Sequence, residues 1–305
     1  MAAGRAGDDN DCAVGHPMAM TRANSQSRGR NMASNVQCEV ASLSHTGLLR
    51  DHNEDSLSVD KELGLFIVAD GMGGHRAGDV ASKLAVEAVR ERLRTMLPRT
   101  AEDTVSTTQA IRYAVDHANA MIHQAALDRG ESSGMGTTIA LLLLRGRVGY
   151  VAHVGDSRVY RLRQGRLEAM TRDHSLLQAQ VGAGLISGEE ARHSHNRNLV
   201  TRALGIEAKT ECDVTALELD AGDTFLLCSD GLNTMVDDDD IALTLRELEP
   251  NLPLAVQCLV EIANDNGGHD NITVVGVRVR SLEAAGVVPM GLFARLLAWL
   301  FGKRD

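Results

Sequence analysis

The feature that most constrains this chain lies between Leu63 and Gly78. There an apolar run, Leu63-Gly64-Leu65-Phe66-Ile67-Val68-Ala69, delivers Asp70 onto Gly71-Met72-Gly73-Gly74-His75-Arg76-Ala77-Gly78. A short apolar run closed by turn residues predicts a buried strand, so the carboxylate stands at the end of a rigid element. Glycines in the turn let backbone approach a ligand closely. For one such motif alone a capping Asp in a strand-to-helix turn is the better reading. The design repeats, however, in Phe225-Leu226-Leu227-Cys228-Ser229-Asp230-Gly231, and Asp270 opens a further strand from Ile272 to Val279. Several carboxylates at strand ends point to one site for a hard metal ion.

Composition narrows the partners. The net charge of -10 argues against nucleic acid, which demands a basic surface, and 44% hydrophobic residues suffice for a real core. Cys12, Cys38, Cys212, Cys228 and Cys258 form no Cys-x-x-Cys pair, and no signal peptide is evident, so a reducing, cytoplasmic setting is expected.

Residues 1 to 34 lack apolar periodicity and read as a disordered leader. An extended segment from Val36 to Ser44 precedes Arg50-Asp51-His52-Asn53-Glu54-Asp55-Ser56, a dense polar cluster ahead of a strand-like Leu57 to Val59. Apolar residues three and four apart predict helices at about 79–96 and 105–128. Gly136-Thr137-Thr138 leads into a central strand at Ile139 to Leu144. Val148 to Val154 and Val159 to Leu162 flank Gly155-Asp156-Ser157-Arg158 and read as a hairpin with Asp156 at its tip. Thr171-Arg172-Asp173-His174-Ser175 opens a polar region in which Ser187-Gly188-Glu189-Glu190 matches a capping box, while His193 and His195 read as loop histidines. Asp237 to Asp240 suggests a metal cluster at first sight, but acids favour helix N-termini, and a helical pattern follows at Ile241 to Glu249. A last helix is expected over about 253–264. No linker interrupts residues 36 to 280, which favours one domain.

Taken together and in order, Arg50-x-x-Asn53-Glu54-Asp55, Asp70-Gly71-Met72-Gly73-Gly74-His75, Gly136-Thr137-Thr138, Gly155-Asp156-Ser157-Arg158, Ser229-Asp230-Gly231-Leu232 and His269-Asp270-Asn271 resemble the metal-dependent protein phosphatases. The resemblance is to the type 2C serine/threonine phosphatases in their bacterial form. It implies an α+β fold, a central sandwich of two antiparallel β-sheets flanked by α-helices in four α-β-β-α layers. It also implies a catalytic domain over residues 35–281 with a flap at about 175–204 beside the metal cleft. Carried over position by position, Asp55, Asp70, the Gly71 carbonyl, Asp230 and Asp270 would hold two Mn²⁺ or Mg²⁺ ions, and Asp156 with Asp230 a weaker third. Glu54 would order metal-bound water and Arg50 would grip the substrate phosphate. The implied reaction is direct attack of a hydroxide bridging the two ions on phosphoserine or phosphothreonine in a protein, opposing a serine/threonine kinase. Such ions lower the pKa of water and clamp attacking and leaving oxygens. One departure stands out. Eukaryotic members place a histidine directly after the Asp-Gly as a proposed acid, where this chain has Met72, and His75 is only a weak substitute.

Two other classes compete. A catalytically silent module of the same fold would be expected to lose its carboxylates, which are intact. A covalent phosphatase would need a cysteine with an arginine six residues on, or an aspartyl nucleophile after a long apolar strand, and Asp237-x-Asp239 lacks that strand. The tail, 282–305, holds the most apolar stretch, Gly286 to Phe301, too short to span a bilayer and interrupted by Pro289 and Arg295. A helix from Leu292 to Phe301 is expected there, docking on the enzyme or a partner, with a membrane interface as the alternative.

Overall fold

A strand that is apolar at every position, rather than at every second one, needs cover on both faces of its sheet, and that requirement builds the layers of this molecule. The computed structural model describes residues 36–74, 77–97, 104–128, 134–187, 190 and 199–282. In chain order the first half carries β1 (Val36–His45), β2 (Ser56–Asp60), β3 (Leu65–Ala69), β4 (Gly71–Met72), α1 (Ala77–Met96), α2 (Thr104–Asp128), β5 (Gly136–Thr137) and β6 (Ile139–Arg145). Then follow β7 (Val148–Val154), β8 (Arg158–Arg163), β9 (Arg166–Ala169), α3 (Leu176–Gly182), β10 (Asp213–Glu218), β11 (Thr224–Cys228), α4 (Asp230–Asn233), α5 (Asp238–Glu247), α6 (Leu252–Asp265) and β12 (Ile272–Leu282).

Two five-stranded sheets result, ordered β1-β12-β11-β8-β9 and β10-β7-β6-β3-β2, with every pairing antiparallel. Alternate residues of each central strand enter different cores. On β3, Phe66 and Val68 face the other sheet with Ala140, Leu142, Phe225, Leu227, Val275 and Val277. Leu65, Ile67 and Ala69 face the opposite way, against Ala81, Ala85 and Val89 of α1 and Ile111, Ala114 and Ala118 of α2. On the far side Leu226, Cys228, Ile272 and Val274 meet Ile241 and Leu245 of α5 and Val256, Leu259 and Val260 of α6. Each fully buried Leu, Ile or Phe contributes about 1.5–3 kcal/mol, and the two-sided burial doubles the number of strand residues that can do so. The expected four α-β-β-α layers are therefore observed. Gly276 lets α6 lie close, since a Cβ there would come within 3.0 Å of Leu252 and Val256 side chains.

The helices start at 77 and 104 rather than 79 and 105, and the last helix is capped by Asn251, whose side chain accepts from the Leu254 N–H at 3.2 Å. One expectation fails. The segments around Asp156 are not a hairpin, because β7 pairs with β6 and β10 whereas β8 pairs with β11 and β9. Asp156 thus lies on a crossover between the sheets, and a turn of hairpin length cannot reveal in sequence which partners its strands choose. The leader, the tail after Leu282, His75, His193 and His195 lie outside the described residues.

Candidate metal centre

Both sheets carry carboxylates at strand ends, and these lie at the same end of the sandwich. Asp55 stands directly before β2, Asp70 directly after β3, Asp156 on the β7–β8 crossover, Asp230 at the start of α4 after β11, and Asp270 two residues before β12. The structure brings the five together: Asp70 feels the charges of Asp55, Asp230, Asp156 and Asp270. Gly71 is required for close approach rather than for a left-handed backbone. A Cβ on it would collide with the backbone of Gly78 and Glu54, and a Cβ on Gly78 would meet Gly71 and the Glu54 carboxylate. That contact seats the N-terminus of α1 against the segment carrying Asp70.

A second set of polar residues holds these carboxylates in place. Ser229 Oγ donates to Asp55 Oδ2 at 2.7 Å and accepts from the Thr273 N–H at 2.9 Å, so one hydroxyl ties Asp55 to both β11 and β12. Asn271 accepts from the Glu54 N–H at 2.8 Å and donates to the carbonyls of Thr46 and His52, fixing the loop that bears Arg50, Glu54 and Asp55. Thr138 Oγ1 accepts from the Asp70 N–H at 3.0 Å, and Thr137 Oγ1 donates to the Asp70 carbonyl at 2.8 Å. Thr137 also pairs with Gly71 in the short β4–β5 ladder. At the rim, Arg50 Nη2 donates to Asp270 Oδ2 at 2.7 Å while the Arg50 side chain stays 53% exposed. Sequence motifs contained Ser229, Asn271, Thr137 and Thr138, but nothing in a single sequence gives a neutral hydroxyl or amide its supporting role.

The electrostatics are those of a site built for cations. Burial, reinforced by the neighbouring aspartates, pushes Asp55 up to about 7 despite the Ser229 hydrogen bond. Asp156 is pushed to about 7 by burial and then by Asp230, and Asp230 to about 6 by burial and then by Asp270. Asp70 is raised well above the carboxylate range by burial and its four acidic neighbours. Glu54 is raised by burial, with Arg50 pulling the other way. Asp55 Oδ1 and Asp230 Oδ1 are buried and accept no hydrogen bond. Buried acceptors without donors are costly, and an oxygen-only donor set suits Mg²⁺ or Mn²⁺. The residues present therefore fit the hard divalent ions expected of them.

Competing chemistries lose support. Among the described residues the cysteines are free, and burial pushes Cys38 to about 11 and Cys212 and Cys228 to about 12, far from a reactive thiolate. Asp238, Asp239 and Asp240 sit exposed in the first turn of α5, as the dipole favours, and Asp238 accepts from the Tyr160 hydroxyl at 2.9 Å. Asp237 is the N-cap residue by backbone geometry, though its side chain makes no capping bond. A separate group that the sequence did not reveal, His153, His174 and Asp213, brings one potential ligand atom from each within 4.8 Å of the others.

A profile of the family described as protein phosphatase 2C matches residues 42–259. The serine/threonine phosphatase Stp of Listeria welshimeri is 37% identical over 243 residues, covering 79% of this chain and 95% of its own. The solved serine/threonine phosphatase PstP/Ppp of Mycobacterium tuberculosis is 36% identical, with a TM-score of 0.73 over 80% of this chain and 99% of that one. A catalytic domain of the serine/threonine phosphatase PstP, crystallised with two manganese ions, is 37% identical with a TM-score of 0.71 over the same shares.

Proposed function

The chain belongs to the protein phosphatase 2C family, and on that premise we infer that the aspartates at its sheet ends serve hydrolysis of phosphoserine and phosphothreonine in proteins. It is a metal-dependent serine/threonine phosphatase of bacterial signalling that uses Mn²⁺ or Mg²⁺ and acts on phosphorylated proteins. The observation that carries the site assignment is the pair of buried, unpartnered oxygens, Asp55 Oδ1 and Asp230 Oδ1, inside one carboxylate cluster fed by both sheets.

We assign Asp55, Asp70, the Gly71 carbonyl, Asp230 and Asp270 to two ions, and Asp156 with Asp230 to a weaker third. Bound there, the ions supply Lewis acidity and an activated water. Ser229 and Asn271 keep Asp55 and its loop in register with β12, so the donors need no reorganisation during turnover. Arg50, anchored on Asp270 by one nitrogen, keeps its remaining N–H donors for phosphate oxygens in a planar fork. Glu54, whose proton affinity is raised by burial, orients water at the same edge. The test is hydrolysis of a phosphothreonine peptide with Mn²⁺ and with chelator: turnover that appears only with metal supports the reading, and chelator-insensitive turnover overturns it.

We assign residues 35–281 to the catalytic unit and the enzyme to the cytoplasm, in keeping with the free cysteines among the described residues. Among the described residues no helix is long and apolar enough to cross a membrane. The apolar segment Leu292 to Phe301, outside the described residues, we assign to docking on this enzyme or a protein partner, since the chain's net charge of -10 would oppose anionic lipid. The full chain carrying Leu296→Asp and Leu300→Asp should lose thermal stability or partner capture, and loss of co-sedimentation with anionic vesicles would identify a lipid anchor instead.

A further inference from the structure

The dipeptide Asp173–His174 grips the crossover that carries Asp156 from both sides. His174 clasps Gly155 twice: its N–H donates to the Gly155 carbonyl at 2.9 Å, and its Nδ1 accepts from the Gly155 N–H at 3.1 Å. Asp173 holds the other flank through a two-pronged pair with Arg158, at 2.9 and 2.7 Å. Because Nδ1 accepts, the neutral ring carries its proton on Nε2, which donates to Asp213 Oδ2 at 3.2 Å. Burial lowers the pKa of His174, which favours that neutral ring. His153 stacks on it with ring centres 4.6 Å apart and is itself oriented by the Arg172 carbonyl at 2.9 Å. His174 also closes the base of the segment that leaves at Ser175 and returns at Val200. The His174 carbonyl accepts from the Thr201 N–H at 2.7 Å, beside the Ser175–Val200 bridge.

His153, His174 and Asp213 have the spacing of a metal site, but their geometry serves a clasp. The rings are stacked within 21° of parallel, so their in-plane lone pairs do not converge on one point. The nitrogens facing Arg172, Gly155 and Asp213 are committed to those partners, and the Arg202 guanidinium stands 3.2 Å from His174 Nε2 and 3.6 Å from Asp213 Oδ1. A second cation there would meet a fixed positive charge.

We propose that His174 is a positioning residue for the third cation site: its Nδ1, held as an acceptor by Asp213, fixes the Gly155 amide and thereby the direction of Asp156. This rests on the assignment of Asp156 with Asp230 to that ion. Two substitutions separate the clasp from mere filling of space. In His174→Asn the amide oxygen occupies the place of Nδ1 and can still accept from Gly155, whereas in His174→Gln the polar end lies where Nε2 was and the Gly155 acceptor is lost. Calorimetric Mn²⁺ titration of the full chain should show the weaker class of sites loosened about tenfold in His174→Gln, the tighter class unmoved, and His174→Asn near wild type. Amide exchange at Gly155, read without metal, should accelerate about tenfold in His174→Gln and not in His174→Asn. Asp213→Ala, whose side chain is 57% exposed and so is safe for folding, should move both readouts in the same direction as His174→Gln. Equal behaviour of the Asn and Gln variants, or unchanged Gly155 exchange in both His174→Gln and Asp213→Ala, would overturn the proposal. Asp156→Ala separates the premise: if it leaves the weaker Mn²⁺ class intact, the third-ion assignment fails while Gly155 exchange still decides the clasp.

Discussion

Replacing Asp230 by Asn should make the metal-free protein more stable and the enzyme inactive. Asp230 Oδ1 is buried without a partner, and burial followed by the Asp270 charge pushes the carboxyl to about 6 from an ordinary 3.8. At pH 8 that gap corresponds to roughly 3 kcal/mol spent on holding the charge in the folded, metal-free cluster. A neutral amide of the same shape avoids this cost but must place its own N–H groups, so a net gain of about 1–3 kcal/mol is expected. For a domain of this size each kcal/mol moves Tm by about 2–4 °C, which places the metal-free variant roughly 2–12 °C above wild type. Mn²⁺ should reverse the order. Wild type gains about 2.7 kcal/mol at a hundredfold excess over Kd, and the variant, lacking a shared ligand, gains little. Differential scanning calorimetry with chelator and with Mn²⁺, run beside phosphopeptide turnover, reads all three quantities. A metal-free variant that melts below wild type, or one that keeps both Mn²⁺ stabilisation and turnover, would refute the reasoning.

Other outcomes follow from the same contacts. Ser229→Ala orphans the Thr273 N–H and removes the donor to Asp55, so it should cost about 1–3 kcal/mol in chemical unfolding, and an unchanged midpoint would count against that tie. Arg50→Ala should raise KM for phosphopeptide while leaving Mn²⁺ affinity unchanged or tighter, because Asp270 loses a competing cation; weakened Mn²⁺ binding with unchanged KM would reverse the roles. Asp55 and Asp156 titrate near 7 when folded and near 3.8 when unfolded, so the folded protein holds extra protons between those values. Their contribution to metal-free stability is therefore present below about pH 4 and lost as pH rises to about 7, and saturating Mn²⁺ should flatten this slope. A metal-free Tm that climbs from pH 5 to 7 would contradict that sign.

The layered fold was legible because its cause is local. Leu65–Ala69 and Ile139–Leu144 are apolar at every position, which marks strands covered on both faces, and the alanines of α1 recur at the spacing that meets them. Asp70 and Asp230 were legible as candidate ligands because each ends such a strand, whereas Asp55, ahead of the mixed strand β2, was reached through the family resemblance. The route around Asp156 was not, since nothing in β7 or β8 names the distant strands that each joins. The His174 clasp was equally hidden. It needs Gly155 and Asp213, 19 and 39 residues away along the chain, and a lone polar segment carries no period that announces such a meeting.

Anomalous diffraction at the manganese edge, on crystals grown with Mn²⁺, tests the assignment of the metal centre most directly. The account predicts two strong peaks among the carboxylates of Asp55, Asp70, Asp230 and Asp270, with a weaker one between Asp156 and Asp230. Peaks at His153, His174 and Asp213, with none among those aspartates, would contradict it.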